Sequence, residues 1–404
     1  MTQSPDSAKS ITSGVLLTLA GSAIYFLMPV YLGDMAKAMA LGPQRMGVLG
    51  GAEIAAIAIA SVFSSLWIRR VRWRTAALVG AAVTVVGDAL TCLAHGYVPI
   101  LVLRVLTGLL GEGILYPLSF VVLGQTRDPD RSFGIALSYS VGFLAAVLLA
   151  SPWLTSLLGE AVLVIILGAL AVTAGAFARW VPDPAAPAIP LQAAPDTTSP
   201  RAIKLGLLGL WGLVGQAVWF IGPGGYWAFS ERVAVAGGLS ASTTATALSV
   251  GLAAGLIGCL IPARIGGKHG RIWPVMVSTL ALIAVVLGTL QRSGAVLFIL
   301  YIMAFNALWN LGTAYIFGLI ASADRDGRLS VLIPASQSVG LALGPIIMGY
   351  LVAEQGMLAV GWSFAAAELV ALAIFVPFAR RVVQQPAPRP LGASHAAGEG
   401  GRAR

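Results

Sequence analysis

The chain has 404 residues, 58% hydrophobic and only 10% charged, whereas an ordinary soluble domain is about 25% charged; that excludes a water-soluble fold. The formal net charge of +9 sits in short loops between apolar runs, a membrane-topology signal and not a nucleic-acid footprint. Those runs are too continuous for barrel strands, which alternate in polarity over about ten residues, so helices remain as the way to satisfy the backbone inside hydrocarbon.

In chain order, a polar start with Lys9 gives way at Ile11 to an apolar run of about 22 residues, longer than a signal-peptide core and read as a retained first helix. Hydropathy predicts helices over residues 11–32, 46–68, 75–94, 97–124, 133–158 and 161–181. Residues 182–202 are rich in proline with Asp, Thr and Ser, an extended linker rather than a span. Six more helices follow over 203–228, 240–265, 272–290, 294–321, 328–353 and 357–379, and residues 380–404 form a Pro-, Gly- and Ala-rich tail expected to be disordered. The fold class is therefore an all-α membrane protein of twelve transmembrane helices. Two six-helix bundles, 1–181 and 203–379, are expected to surround a central cavity.

Of the 25 Lys and Arg residues, Lys37, Arg45, Arg232 and Arg292 fall in loops on one side and Arg104 inside a span. All the others lie on the side of the two termini, which the positive-inside rule makes cytoplasmic. The halves also share a local pattern. Ser138-Tyr139-Ser140-Val141-Gly142 and Ser336-Gln337-Ser338-Val339-Gly340 occupy corresponding spans. Each follows a short loop carrying two Asp and an Arg at its end (Asp128, Asp130 and Arg131; Asp324, Asp326 and Arg328), which points to duplication.

Four acids fall inside spans: Glu53, Asp88, Glu112 and Glu368. A carboxylate at bilayer depth costs about 2.5–3.5 kcal/mol and needs a partner or a cavity. At about 1.5 Å rise per residue, Glu53, Asp88 and Arg104 reach similar depth and are expected to form one ion-paired cluster. That cluster is either a proton site or a static brace of three helices. Glu112, between Gly111 and Gly113, is the favoured proton carrier, because small neighbours let helices approach, and Glu368 is expected to pair with a neighbouring helix. Tyr25, Tyr116, Gln216, Trp219, Asn306, Trp309 and Asn310 describe amide and aromatic groups suited to a small amphipathic or aromatic solute. Interhelical hydrogen bonding is the alternative reading of the amides. Gly222-Pro223-Gly224-Gly225 is expected to break its helix.

No P-loop is present, so ATP-driven transport is not expected. No His/Cys cluster or nucleophile–base arrangement stands out, and Cys92 and Cys259 lie inside apolar spans. Neither cofactor nor metal nor enzymatic activity is expected.

Two loop segments, Ser64-Ser-Leu-Trp-Ile-Arg-Arg-Val-Arg72 and Ala263-Arg-Ile-Gly-Gly-Lys-His-Gly270-Arg271, lie at corresponding places in the halves. With Arg104-Val-Leu-Thr-Gly108 and Gly340-Leu-Ala-Leu-Gly344-Pro345, they resemble the major facilitator superfamily, and the resemblance covers about residues 11–379. The family's loop motif is G-x-x-x-D-x-x-G-R. This chain keeps Arg72 and Gly270-Arg271 but has Ile68 and Gly267 where the family has Asp. The resemblance implies gating or structural roles for Arg72, Gly270, Arg271, Gly340, Gly344 and Pro345. It also associates Arg104 with proton coupling, makes spans 1, 4, 7 and 10 the lining of the path, and implies a monomer. The antiporters carry G-x-x-x-G-P in span 5, whereas here it stands in span 11, so direction stays open. The resulting expectation is proton-coupled movement of a small organic solute across a bacterial-type inner membrane, with efflux slightly ahead of nutrient uptake. A non-transporting receptor on the same scaffold is the alternative from another class, disfavoured by the short loops.

Overall fold

A computed structural model describes residues 4, 6–68, 70–126, 129–182, 200–265, 270–291, 294–323 and 332–383. The first half comprises α1 (Ala8–Met39), α2 (Pro43–Trp67), α3 (Trp73–Leu93), α4 (Tyr97–Gly124), α5 (Pro129–Leu158) and α6 (Val162–Ala176). The second comprises α7 (Pro200–Ala236), α8 (Ala241–Ile265), α9 (Ile272–Thr289), α10 (Gly294–Ala323), α11 (Ile333–Gln355) and α12 (Ala359–Val383). Local signals set the ends. Ser7 caps α1 by accepting from the Ser10 N–H, Ala40 ends it in the left-handed region at φ 49°, and Pro43 occupies the first turn of α2, where its missing N–H costs nothing.

The halves meet along three seams, α2–α11, α5–α8 and α1–α7. Exchanging each helix with the one six places along converts α2–α11 into α8–α5 and returns α1–α7 to itself, as expected of a pseudo-twofold duplication. Arg72 and Arg271 occupy corresponding positions, each preceding the first residue of its helix, α3 and α9. Gly270 has φ +81°, a left-handed backbone that favours glycine. The linker segment 183–199, the tail 384–404, Asp128, Gly267, Asp324, Asp326 and Arg328 lie outside the described residues.

Two expectations need correction. α7 does not break at Gly222–Gly225 but runs continuously through Pro223. Its glycines serve close approach instead. A methyl on Gly224 would strike Leu341 of α11 and one on Gly225 the Gly344 carbonyl, while Gly340 and Gly344 face the Ala217 and Ile221 carbonyls in return. The G-x-x-x-G of α11 is thus half of a small-residue seam with α7. The second correction concerns length, since α1 and α7 both continue for about two turns beyond the expected ends, carrying Asp34, Lys37, Glu231 and Arg232 inside the helices. Residues 200–202, assigned to the linker, begin α7, and α12 extends to Val383.

Candidate functional site

Arg104 of α4 is fully buried and is surrounded by three carboxylates. Its Nε donates to Glu53 Oε1 of α2 at 3.0 Å, with a second, very short contact from Nη2 to the same oxygen. Nη1 donates to Asp88 Oδ1 of α3, and Nη2 lies 3.4 Å from Glu112 Oε1. One guanidinium thus ties α2, α3 and α4 together, using the fixed fork that a lysine lacks. The second oxygens of Glu53, Asp88 and Glu112 are buried with no hydrogen-bond partner. Tyr31 of α1 covers the cluster, its ring centroid 5.8 Å from the Arg104 Cζ.

Glu112 joins the cluster because α4 changes its winding. Residues Gly108–Glu112 form a π-helical segment. In a regular α-helix, a residue eight places on is rotated by about 80° from the first; the extra residue of a π segment makes the eight act as seven, about 20° from alignment. The glycines allow α4 to sit close to its neighbours while doing so. A methyl on Gly111 would meet the Thr84 hydroxyl of α3, and one on Gly113 would meet the Ala60 methyl of α2.

The aromatic and amide residues divide into two groups. Tyr25 and Tyr116 are half-buried with ring centroids 5.8 Å apart, and Phe120 stands 5.1 Å beyond Tyr116. Trp309, also half-buried, lies 5.5 Å from Phe305 and 6.4 Å from Phe220. The fully buried Gln216 and Trp219 are engaged elsewhere: Gln216 Nε2 donates to the Ile333 carbonyl at 2.6 Å and Trp219 Nε1 to Thr279 Oγ1 at 3.0 Å. Asn306 and Asn310 donate to carbonyls one turn back in α10, at 3.1 and 2.9 Å, and press against Gly251 and Gly255 of α8. The structure therefore does not gather the four amide and indole groups into one pocket; they hold α7, α8, α9, α10 and α11 to one another. Glu368 is fully buried against Gly222 of α7, so it does meet a neighbouring helix, with no hydrogen-bond partner on either oxygen.

A polar cluster absent from the sequence reading closes the end where α1 and α7 finish. Lys37 Nζ lies 3.7 Å from Asp34 and 3.4 Å from Glu231. Arg232 Nη2 reaches the Gly33 carbonyl at 3.4 Å, and the Glu231 carboxylate packs directly on Gly33. Nearby, Gly349 of α11 packs on Pro43 and Gly47 of α2. The sequence signal was the Asp34, Lys37 spacing, one helical turn, which their assignment to a loop concealed.

Twelve helices among the described residues, in two related halves with a buried charge cluster beside a half-exposed aromatic face, make up a polytopic helical membrane fold, and the family it matches is one of transporters and not of enzymes. The chain belongs to the Major Facilitator Superfamily, whose model matches residues 13–322. A comparison with curated protein sequences finds no significant match. Among solved structures it is similar to the nucleoside transporter NupG (D323A mutant), with TM-score 0.64 and 12% identity over 93% of this chain and 99% of that one. It is also similar to a bacterial homolog of the human lysosomal transporter Spinster, inward-facing and unoccupied, with TM-score 0.66 and 14% identity over 94% and 98%. A structure from work on substrate recognition in proton dependent oligopeptide transporters gives TM-score 0.67 and 12% identity over 93% and 99%. At these identities the likenesses speak to the fold.

Proposed function

We propose that the protein moves a small amphipathic or aromatic organic solute across the inner membrane by alternating access, coupled to protons carried by Glu112, with efflux favoured. The observation that carries this reading is the buried Arg104 facing three carboxylates. One cation balances one carboxylate; two further negative charges in a site closed to water would be left unpaired, which is costly. Bound protons restore the balance. Glu112 makes the longest of the three contacts, at 3.4 Å, which makes it the readiest to exchange its proton, while Glu53 and Asp88 hold Arg104 in place.

Coupling to the two halves runs through α1. Tyr31 of α1 covers the cluster, and α1 is held by α7 through the Trp227 Nε1 donation to the Tyr25 carbonyl at 3.1 Å and through the Lys37–Glu231 pair. Parting of α1 from α7 would shift that cover and admit water to Glu112. The solute is placed between Tyr25 and Tyr116 of the first half and Trp309 of the second. Asn310, half-buried beside Trp309, would have to leave the Asn306 carbonyl to serve it. Arg72, Gly270 and Arg271 are assigned to gating at the other end; both termini are placed in the cytoplasm, and the working unit is a monomer.

The test begins with thermal stabilisation of the purified protein across aromatic acids, drugs, amino acids and sugars. Flux of each hit into proteoliposomes with an imposed pH gradient follows. Gradient-dependent flux supports coupled transport, and its sign decides efflux or uptake. Binding without flux, in vesicles shown competent with a control transporter, would overturn the transport reading in favour of a receptor.

A further inference from the structure

The outer face of the first half carries a feature that the transport reading leaves unused. α2 exposes Ile59, Val62, Phe63 and Leu66, and α4 exposes Val98, Val102, Leu106 and Leu110 at four-residue spacing. These stripes face the bilayer; Arg104 and Glu112 are buried. Between them and α3 lies a crevice of about 430 Å³, lined by apolar groups that include Phe63, Trp67, Val71, Val79 and Leu110. That is within the range of about 300–1,000 Å³ typical of small-ligand pockets.

The lining itself holds no basic side chain, but among the described residues the turn at one end of the crevice carries two. Val71 lies in the turn joining α2 to α3, flanked by Arg70 and Arg72, and both arginines are exposed. Arg74 is engaged, its Nε donating to the Val181 carbonyl at 2.8 Å. Trp67, an aromatic suited to the membrane–water boundary, lines the same end.

We propose that this crevice binds one anionic phospholipid of the bilayer, an acyl chain lying between α2, α3 and α4 and the phosphate resting on Arg70 and Arg72. Apart from Thr75 and the Trp67 indole the lining is apolar, and its exposed residues open towards lipid. Two arginines at the mouth select a negative headgroup over a zwitterionic one. The site shares Arg72 with the proposed gating segment but uses none of the residues assigned to proton coupling.

The test is native mass spectrometry of the delipidated full-length protein titrated with phosphatidylglycerol or phosphatidylcholine. One phosphatidylglycerol is expected to bind before any phosphatidylcholine. Arg70→Gln/Arg72→Gln should weaken phosphatidylglycerol about 30-fold, from two basic residues near the surface. Val79→Trp, which fills the crevice from a position 48% exposed, should remove the bound lipid. Equal binding of both lipids, or unchanged phosphatidylglycerol binding in the arginine double variant, would overturn the site and leave only a general lipid annulus. The arginines are exposed, so that result stands even if Val79→Trp fails to fold.

Discussion

Arg104 and Glu112 stand eight residues apart in α4 and still meet, Nη2 to Oε1 at 3.4 Å, because the π segment Gly108–Glu112 takes up one residue between them. A regular helix would turn Glu112 away from the arginine. The winding of five residues thus decides whether the third carboxylate belongs to the cluster.

Removing the cation should expose how the cluster is balanced. Arg104→Leu leaves buried carboxylates without a counter-charge and is expected to destabilise the protein by about 3–5 kcal/mol, read by thermal unfolding in detergent. Arg104→Lys should fall between, since an ammonium does not span Glu53 and Asp88 as the guanidinium does. Adding Glu53→Gln and Asp88→Asn to Arg104→Leu should recover part of the loss. If that triple variant is no more stable than Arg104→Leu, the charge-balance argument fails.

The duplicated S-x-S-V-G pattern gives a paired prediction. Gly340 packs against the Ala217 carbonyl and Phe220 of α7, whereas Gly142, its counterpart in α5, has nothing within 4 Å of where a β-carbon would stand. Gly340→Ala should cost about 1–3 kcal/mol through overpacking. Gly142→Ala should be neutral or gain about 0.5–1 kcal/mol from reduced backbone freedom. Equal unfolding temperatures for the two variants would contradict the seam.

Lys37 is the cation that Asp34 and Glu231 share at the closed end. Lys37→Glu should loosen that end and raise amide hydrogen exchange in residues 33–39 and 229–236 several-fold. The swap Lys37→Glu/Glu231→Lys should reverse much of the increase. Exchange unchanged in Lys37→Glu would show that the glycine contacts of α2 with α11 hold the end shut alone.

Much of this architecture was legible in the sequence, because span length and loop charge are set by the bilayer and need no knowledge of neighbours. The meeting of Glu53, Asp88 and Arg104 followed from counting rise along three antiparallel helices. What sequence does not carry is rotation about each axis: Gln216, Trp219, Asn306 and Asn310 sit on the expected helices but turn towards adjacent helices. Charge also misled at the ends of α1 and α7, where Lys37 and Arg232 read as loop residues yet lie, with the buried Asp34 and Glu231, within helices that outrun their apolar cores. Gly222–Gly225 looked like a break for the same reason, since the partner glycines of α11 that give those residues a packing role are more than a hundred positions away in the chain.

The measurement closest to the central claim compares the parent with Glu112→Gln in proteoliposomes, using the solute that the binding panel identifies. Two readouts are taken: exchange of labelled for unlabelled solute without a gradient, and net movement driven by a pH gradient. The account predicts that Glu112→Gln keeps exchange and loses gradient-driven movement, because the path is intact and the proton carrier is gone. Gradient-driven movement equal to the parent's would contradict it and return Glu112 to a bracing role beside Arg104.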